Sequence, residues 1–237
     1  MTETTQFTAT PSTPSTSSTP STSSTPSTSF TPANPSAPST PAAPSPSPGA
    51  DTRPDLAAAI ALAGRTLAAV RPDQYDAPTP CEEFDVRRLS SHLVGVLRRI
   101  AVIGRGEDPF SVPSFADELA DGAWAAAWEP AAREAARVWA DPGVLGRELR
   151  LPMGVKPGAV AAAVYTNELT LHTWDLATAT GQRPDWDTEL LERLLVVVRR
   201  ALPAEARGGR IPYGEVVPVA ADASALDRLV AWSGRRP

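Results

Sequence analysis

The chain contains two histidines, His92 and His172, and the second stands in NELTLHTWDLATATGQ, four positions after Glu168. On a helix, residues four apart share a face with their Cβ atoms about 5–6 Å from one another, so a carboxylate and an imidazole at that spacing can act together. Extended by one turn each way, the stripe reads Tyr165, Glu168, His172, Asp175. His92 lies among Leu89, Leu93 and Val96, at the edge of an apolar face. Two imidazoles and one carboxylate make a three-donor set for zinc or another divalent ion, with a position left for water or substrate. The spacing leaves a second reading open. Glu/His pairs at i, i+4 are common on solvated helix faces, and a histidine among apolar residues is commonly a hydrogen-bonded part of the core.

The neighbouring residues keep their alternatives too. Asp175 either orients a ligand histidine through its second nitrogen or pairs with an arginine or caps a loop. Tyr165 is a candidate pocket hydroxyl. The single cysteine, Cys81, rules out an internal disulfide or a CxxC metal site. On its Pro-rich loop it reads as a packed small residue, with approach to a metal as the alternative. Trp124, Trp128 and Trp139 fall at helical spacing and read as core. The sequence has no GxSxG elbow, no GxxxxGK[ST] loop and no GxGxxG turn after a strand, so hydrolase, nucleotidase and dehydrogenase motifs are missing.

Helices have to position these side chains. Leu56, Ile60, Ala63, Leu67 and Val70 recur at spacings of three and four, which predicts a helix over 55–70 stopped by Pro72. After the loop YDAPTPCEEFDV, Asp85 is placed to cap a second helix carrying Val86, Leu89, Leu93, Val96, Leu97 and Ile100, ended by Gly104 and Gly106. A third helix is expected over 115–140, then a turn at Asp141, Pro142 and Gly143, and a short strand in RELRLPMG. The fourth helix, 159–180, closes at Gly181. The fifth, 188–202, contains LLVVV and suggests a well-buried position. A GGR turn at 208–210, an extended IPYGEVVPV and a last short helix, ALDRLVAW, complete the chain. This pattern predicts an all-α fold: a four-helix bundle with extra short helices and minor β content, in which ligand and metal sites are built between facing helices.

The first fifty residues are foreign to this pattern. Nearly all of residues 11–48 are Ser, Thr, Pro or Ala, with Pro14, Pro20, Pro26 and Pro32 six residues apart. Such a tract has too little to bury to offset the entropy of ordering, so residues 1–50 are expected to form a disordered tether and 51–237 one folded domain. The chain carries 22 Lys and Arg against 27 Asp and Glu, without a basic stripe, which disfavours nucleic acid as a partner. MTETTQFTAT lacks the basic start and apolar run of a signal peptide, and no stretch reaches the roughly 20 apolar residues of a membrane span. A cytoplasmic protein with no membrane partner is expected.

Three segments, PTPCEEFDVRRLSSHLVG, ELTLHTWDLATATGQ and PVAADASALDRLVAWSGRRP, together resemble the DinB-like superfamily. Within it they are similar to the metal-binding domain of mycothiol-dependent maleylpyruvate isomerase and its short actinobacterial relatives. The resemblance implies a four-helix bundle holding a divalent metal, commonly zinc, through a histidine on helix two and a Glu/His pair on a later helix. Carried onto this sequence, those residues are His92, Glu168 and His172. The implied co-substrate is mycothiol, a low-molecular-weight thiol that the metal activates against an electrophilic substrate in a transferase or isomerase reaction. The isomerase carries a further C-terminal domain for which no room is expected after Pro237, so maleylpyruvate isomerisation itself is not implied. Phe84 stands where the family often has tryptophan. A non-catalytic metal-binding module and a metal-dependent hydrolase are the alternatives.

Overall fold

A computed structural model of the chain describes residues 51–207 and 213–237. The expected tether and the GGR turn, with the first two residues of IPYGEVVPV, lie outside the described residues. Helix α1 spans Arg53–Ala68, with Pro54 in the first turn, where a missing N–H costs no hydrogen bond. It buries Leu56, Ile60, Ala63 and Leu67 and ends two residues earlier than expected; Pro72 opens a separate 3-10 turn. Helix α2 spans Val86–Arg105, and the Asp85 carboxylate accepts the Arg88 N–H as expected of its cap. Gly106, at φ 84°, ends it. Gly104 does not: it lies inside the helix where Trp139 crosses closely, and the Trp139 indole N–H donates to the Ile100 carbonyl at 3.0 Å.

The third helix is shorter than the periodicity suggests. Helix α3 spans Trp124–Trp139, because Gly122 takes a left-handed φ of 82° and breaks the run. Residues 115–123 instead form a loop laid on α2, where the Ala116 N–H donates to the Ser91 carbonyl at 3.2 Å. Trp124, Trp128 and Trp139 are buried in the core, as their spacing implied. Strand β1, Glu148–Leu151, pairs antiparallel with β2, Gly154–Pro157, in the register Glu148 opposite Pro157 and Leu151 opposite Gly154. β1 turns Leu149 and Leu151 inward, whereas all four residues of β2 are exposed. GVKP therefore offered no alternation to read.

Helix α4, Gly158–Thr180, closes at Gly181. Helix α5 spans Thr188–Ala201 and α6 spans Ala225–Trp232. The LLVVV run is not buried throughout: α5 is amphipathic and Val196 is 47% exposed. Residues 213–219 form no strand; the Val217 N–H instead donates to the Ala231 carbonyl of α6.

The fold is all-α with one small hairpin. α1 and α2 each pack on α3 and on α4, so the four form a ring in which α2 and α4 are neighbours. Two clusters of buried apolar side chains meet at α4. Leu169 and Leu176 face the bundle core, while Leu171 and Trp174 pack with α5 and α6. Buried on nearly every side, α4 still carries four buried threonines, and each satisfies its hydroxyl locally: Thr166, Thr170, Thr173 and Thr180 donate to the carbonyl four residues back. Among the described residues no helix is long and apolar enough to cross a membrane.

The loop over α2 approaches the helix most closely at Gly95. A Cβ there would lie 2.6 Å from the Ser114 carbonyl oxygen, a backbone atom that cannot swing aside. Alanine would gain about 1 kcal/mol of helix propensity at this position, but overpacking costs about 1–3 kcal/mol. Gly95→Ala is therefore expected to lower stability on balance, with hydrogen exchange rising first in residues 109–116. Thermal unfolding with an unchanged or raised midpoint would show that the loop is not held against α2.

Candidate metal centre

The α2–α4 contact brings His92, Glu168 and His172 together. One ligand atom from each lies within 4.8 Å of the other two. His92 Nε2 is 3.4 Å from Glu168 Oε1, and His172 Nε2 is 3.6 Å from the same oxygen. The two rings meet edge to face, with centroids 5.1 Å apart. His92 and His172 are 9% and 7% exposed, whereas the Glu168 side chain is 33% exposed and forms the open side.

The outer nitrogen of each ring is tied off. His92 Nδ1–H donates to the Ser114 carbonyl at 2.9 Å, and that carbonyl can only accept. His172 Nδ1–H donates to Asp175 Oδ2 at 3.1 Å. In the neutral ring this leaves a lone pair on each Nε2, and both face the Glu168 carboxylate. The 3.4 and 3.6 Å gaps are long for N–H···O bonds. They are close to the roughly 3.3 Å that separates two donors each about 2.0–2.1 Å from one tetrahedral ion. The residues fit a divalent cation on donor type, spacing and the fixing of both rings from behind.

Surrounding side chains support this geometry, and Arg99 is one that neither spacing nor motif singles out. Arg99 is buried and donates to the Pro109 carbonyl, the Val112 carbonyl and Ser114 Oγ at 3.0–3.1 Å, fastening the loop whose Ser114 carbonyl holds His92. Nothing in its helical position distinguishes it from Arg98, which pairs with Glu118 at the surface. Phe84 packs against both imidazoles, at 5.1 and 6.0 Å between centroids, and Phe115 lies 5.3 Å from His92. The TPC turn places Phe84: the Thr79 hydroxyl accepts the Cys81 N–H and donates to the Phe84 carbonyl at 2.7 Å. Asp175 realises both of its alternatives at once, holding His172 while pairing with Arg235. Tyr165 is buried in the main core, where desolvation raises its phenol far above the usual range.

Cys81 is nearer than its loop position suggested, with its sulfur grouped with ligand atoms of His172 and Asp175. Burial first and Asp175 second push its thiol up, against a smaller downward pull from Arg235. Burial opposes charge on His172, yet the hydrogen bond to Asp175 and the Glu168 carboxylate beside it push its imidazole up to about 9. Burial likewise works against charge on Glu168, but the His172 and His92 rings beside it hold its carboxyl well below the carboxylate range.

The family model described as the mycothiol maleylpyruvate isomerase N-terminal domain matches residues 56–177, a span that contains all three candidate ligands. Two uncharacterized proteins of Mycobacterium tuberculosis, from strains CDC 1551 and H37Rv, are each 35% identical over 170 residues. The alignment covers 71% of this chain and 89% of each relative. No solved structure matches.

The electrostatics give a signature for the metal-free protein. His172 is raised on folding, so its contribution is full below its unfolded value, near 6.5, and is lost as the pH climbs through about 9. Metal-free protein is expected to lose on the order of 3 kcal/mol of stability between those limits. A divalent cation occupying the proton's place should flatten the dependence. Denaturant unfolding at pH 6.5, 8 and 9.5, with chelator and with zinc, measures it; a metal-free protein equally stable at all three would contradict the shared position of proton and cation.

Proposed function

Because the chain belongs to the mycothiol maleylpyruvate isomerase N-terminal domain family, we propose that it binds a divalent cation, zinc in the first instance, through His92, Glu168 and His172. We further propose that it is a thiol-dependent transferase or isomerase with mycothiol as co-substrate. The observation that carries this reading is the convergence of two imidazole nitrogens on one carboxylate oxygen at 3.4 and 3.6 Å, with the outer nitrogen of each ring already engaged.

When bound, the cation supplies stabilisation of a thiol's anionic form near neutral pH. The rest belongs to the chain's own side chains. Ser114 and Asp175 fix the two rings from behind. Phe84 and Phe115 line the imidazoles with apolar surface and keep water from their flanks. Glu168, 33% exposed, is the side from which a co-substrate would enter, and Arg88 covers the Phe115 ring, its guanidinium carbon 3.2 Å from the centroid. In this reading the nucleophile arrives with the co-substrate, while burial and Asp175 push Cys81 toward its neutral thiol. In the proposed reaction the thiol gives its proton to solvent, and its sulfur bonds to an electrophilic carbon as the π electron pair on that carbon shifts to the neighbouring atom. A leaving group then departs, or the sulfur leaves again after rotation about the carbon–carbon bond.

Elemental analysis of the purified chain is expected to find close to one divalent cation per molecule and a marked loss in each of His92→Ala, Glu168→Ala and His172→Ala. Parent protein with no bound metal after zinc loading would sink the reading. Consumption of an electrophile panel is expected only with thiol present; turnover without thiol would favour metal-assisted hydrolysis, and bound metal without turnover a binding module. Deletion of residues 1–50 is expected to leave both helicity, by circular dichroism, and metal content unchanged if that tract is a tether. A loss of either would assign it a part in the folded domain.

A further inference from the structure

Beyond residue 177, where the family match ends, one contact reaches back to the site. Asp175 is fully buried, at 0% exposure. Its Oδ1 accepts from Arg235 Nε at 3.0 Å and its Oδ2 from Arg235 Nη2 at 2.8 Å, while Oδ2 also accepts from His172 Nδ1. A guanidinium fork on both oxygens fixes the plane of a carboxylate as no single donor can. Local structure aims Arg235 there. After α6 ends at Trp232, the Arg235 N–H donates to the Val230 carbonyl and the Gly234 N–H to the Ala231 carbonyl, closing a Schellman turn. Gly234 sits at φ 85°, and a Cβ on it would lie 2.9 Å from Gly214 Cα, so the turn demands glycine twice over.

We propose that Arg235 is a positioning residue for the metal centre. Through Asp175 it sets the tautomer and ring direction of His172, and the turn after α6 and the cation-binding site form one coupled unit. The inference rests on the metal-binding reading of His92, Glu168 and His172. Without the fork, the Asp175 carboxylate is free to rotate, His172 Nδ1–H follows its acceptor, and Nε2 leaves the direction that points it at Glu168. Coupling of this kind is reciprocal: if Arg235 helps hold the cation, the cation must help hold the turn.

The test uses the full-length chain with zinc alone as the ligand. Affinity is measured by competition against a chromophoric chelator for the parent, Arg235→Gln, Arg235→Lys, Asp175→Asn and the Arg235→Gln/Asp175→Asn double variant. Removing an outer hydrogen-bond partner is expected to weaken zinc by roughly 10–100-fold in Arg235→Gln and in Asp175→Asn. Arg235→Lys should recover only part of the loss, since an ammonium does not span both oxygens. The double variant should be no weaker than the worse single one. Hydrogen exchange over residues 229–237 should slow on zinc addition in the parent and not in Arg235→Gln. Circular dichroism identifies a variant that fails to fold, and Arg235→Lys and Asp175→Asn then carry the test. A parent that binds no zinc overturns the metal reading itself. A parent that binds zinc, beside folded variants of equal affinity and equal zinc-induced protection, overturns only the role of Arg235.

Discussion

A single carboxylate oxygen shared by two imidazole nitrogens is the constraint on which the rest of this structure depends. Each nitrogen has a hydrogen bond behind it that leaves a lone pair in front, so three electron-rich atoms face one another in a largely buried place. Protein interiors do not tolerate unpaired polar groups of one polarity, because each such group forfeits its hydration. Something positive has to lie between them, either a proton on an imidazole or a cation. The upward push on His172 in the metal-free protein is the first solution, and the spacing of the donors suits the second.

Holding three donors at that spacing sets requirements that reach into the whole bundle. α2 and α4 must be neighbours, and α4 must be buried on both sides so that its polar stripe cannot swing toward solvent. That burial is possible because the helix answers its own threonine hydroxyls, which lets small polar residues sit among Leu169, Leu171 and Leu176 without orphaned donors. The loop over α2 must lie close enough for a backbone carbonyl to reach His92, which explains both the absence of a side chain at Gly95 and the burial of Arg99, whose Nε and Nη2 donate to that loop.

How much of this could be read from the sequence depends on the range over which each feature is encoded. Glu168 and His172 were legible because i, i+4 spacing is local, and α4, α6 and the Asp85 cap were legible for the same reason. That His92 faces them was an inference from ring type and helix position. The geometry behind it is tertiary, since α2 and α4 are separated in the chain by a helix and a hairpin. The third helix was overextended because apolar spacing continues through Phe115 and Leu119, and only the left-handed backbone at Gly122 breaks it. β2 and the exposed Val196 had no periodic mark. Arg99, Ser114 and Arg235 act through a backbone carbonyl or a long side chain crossing between elements, contacts to which periodicity is blind. The closing segment lies beyond the family match, which ends at residue 177, and nothing in its sequence marks the reach of Arg235 to Asp175.

The same geometry bears on which nucleophile the site suits. Activating water needs help over a large interval, since bulk water has a pKa of 15.7 and a free thiol about 8.5, a difference of roughly seven powers of ten. A hydrolytic site therefore places a carboxylate or histidine free to take the proton beside the open position. Here both imidazoles share one oxygen of Glu168, the group that would hold the cation with them, and Asp175 is held by His172 and Arg235 on the far side of the His172 ring. A ligand that arrives already acidic makes far less demand on such a residue. That is a physical ground for preferring a thiol co-substrate to water in the reaction proposed for this chain.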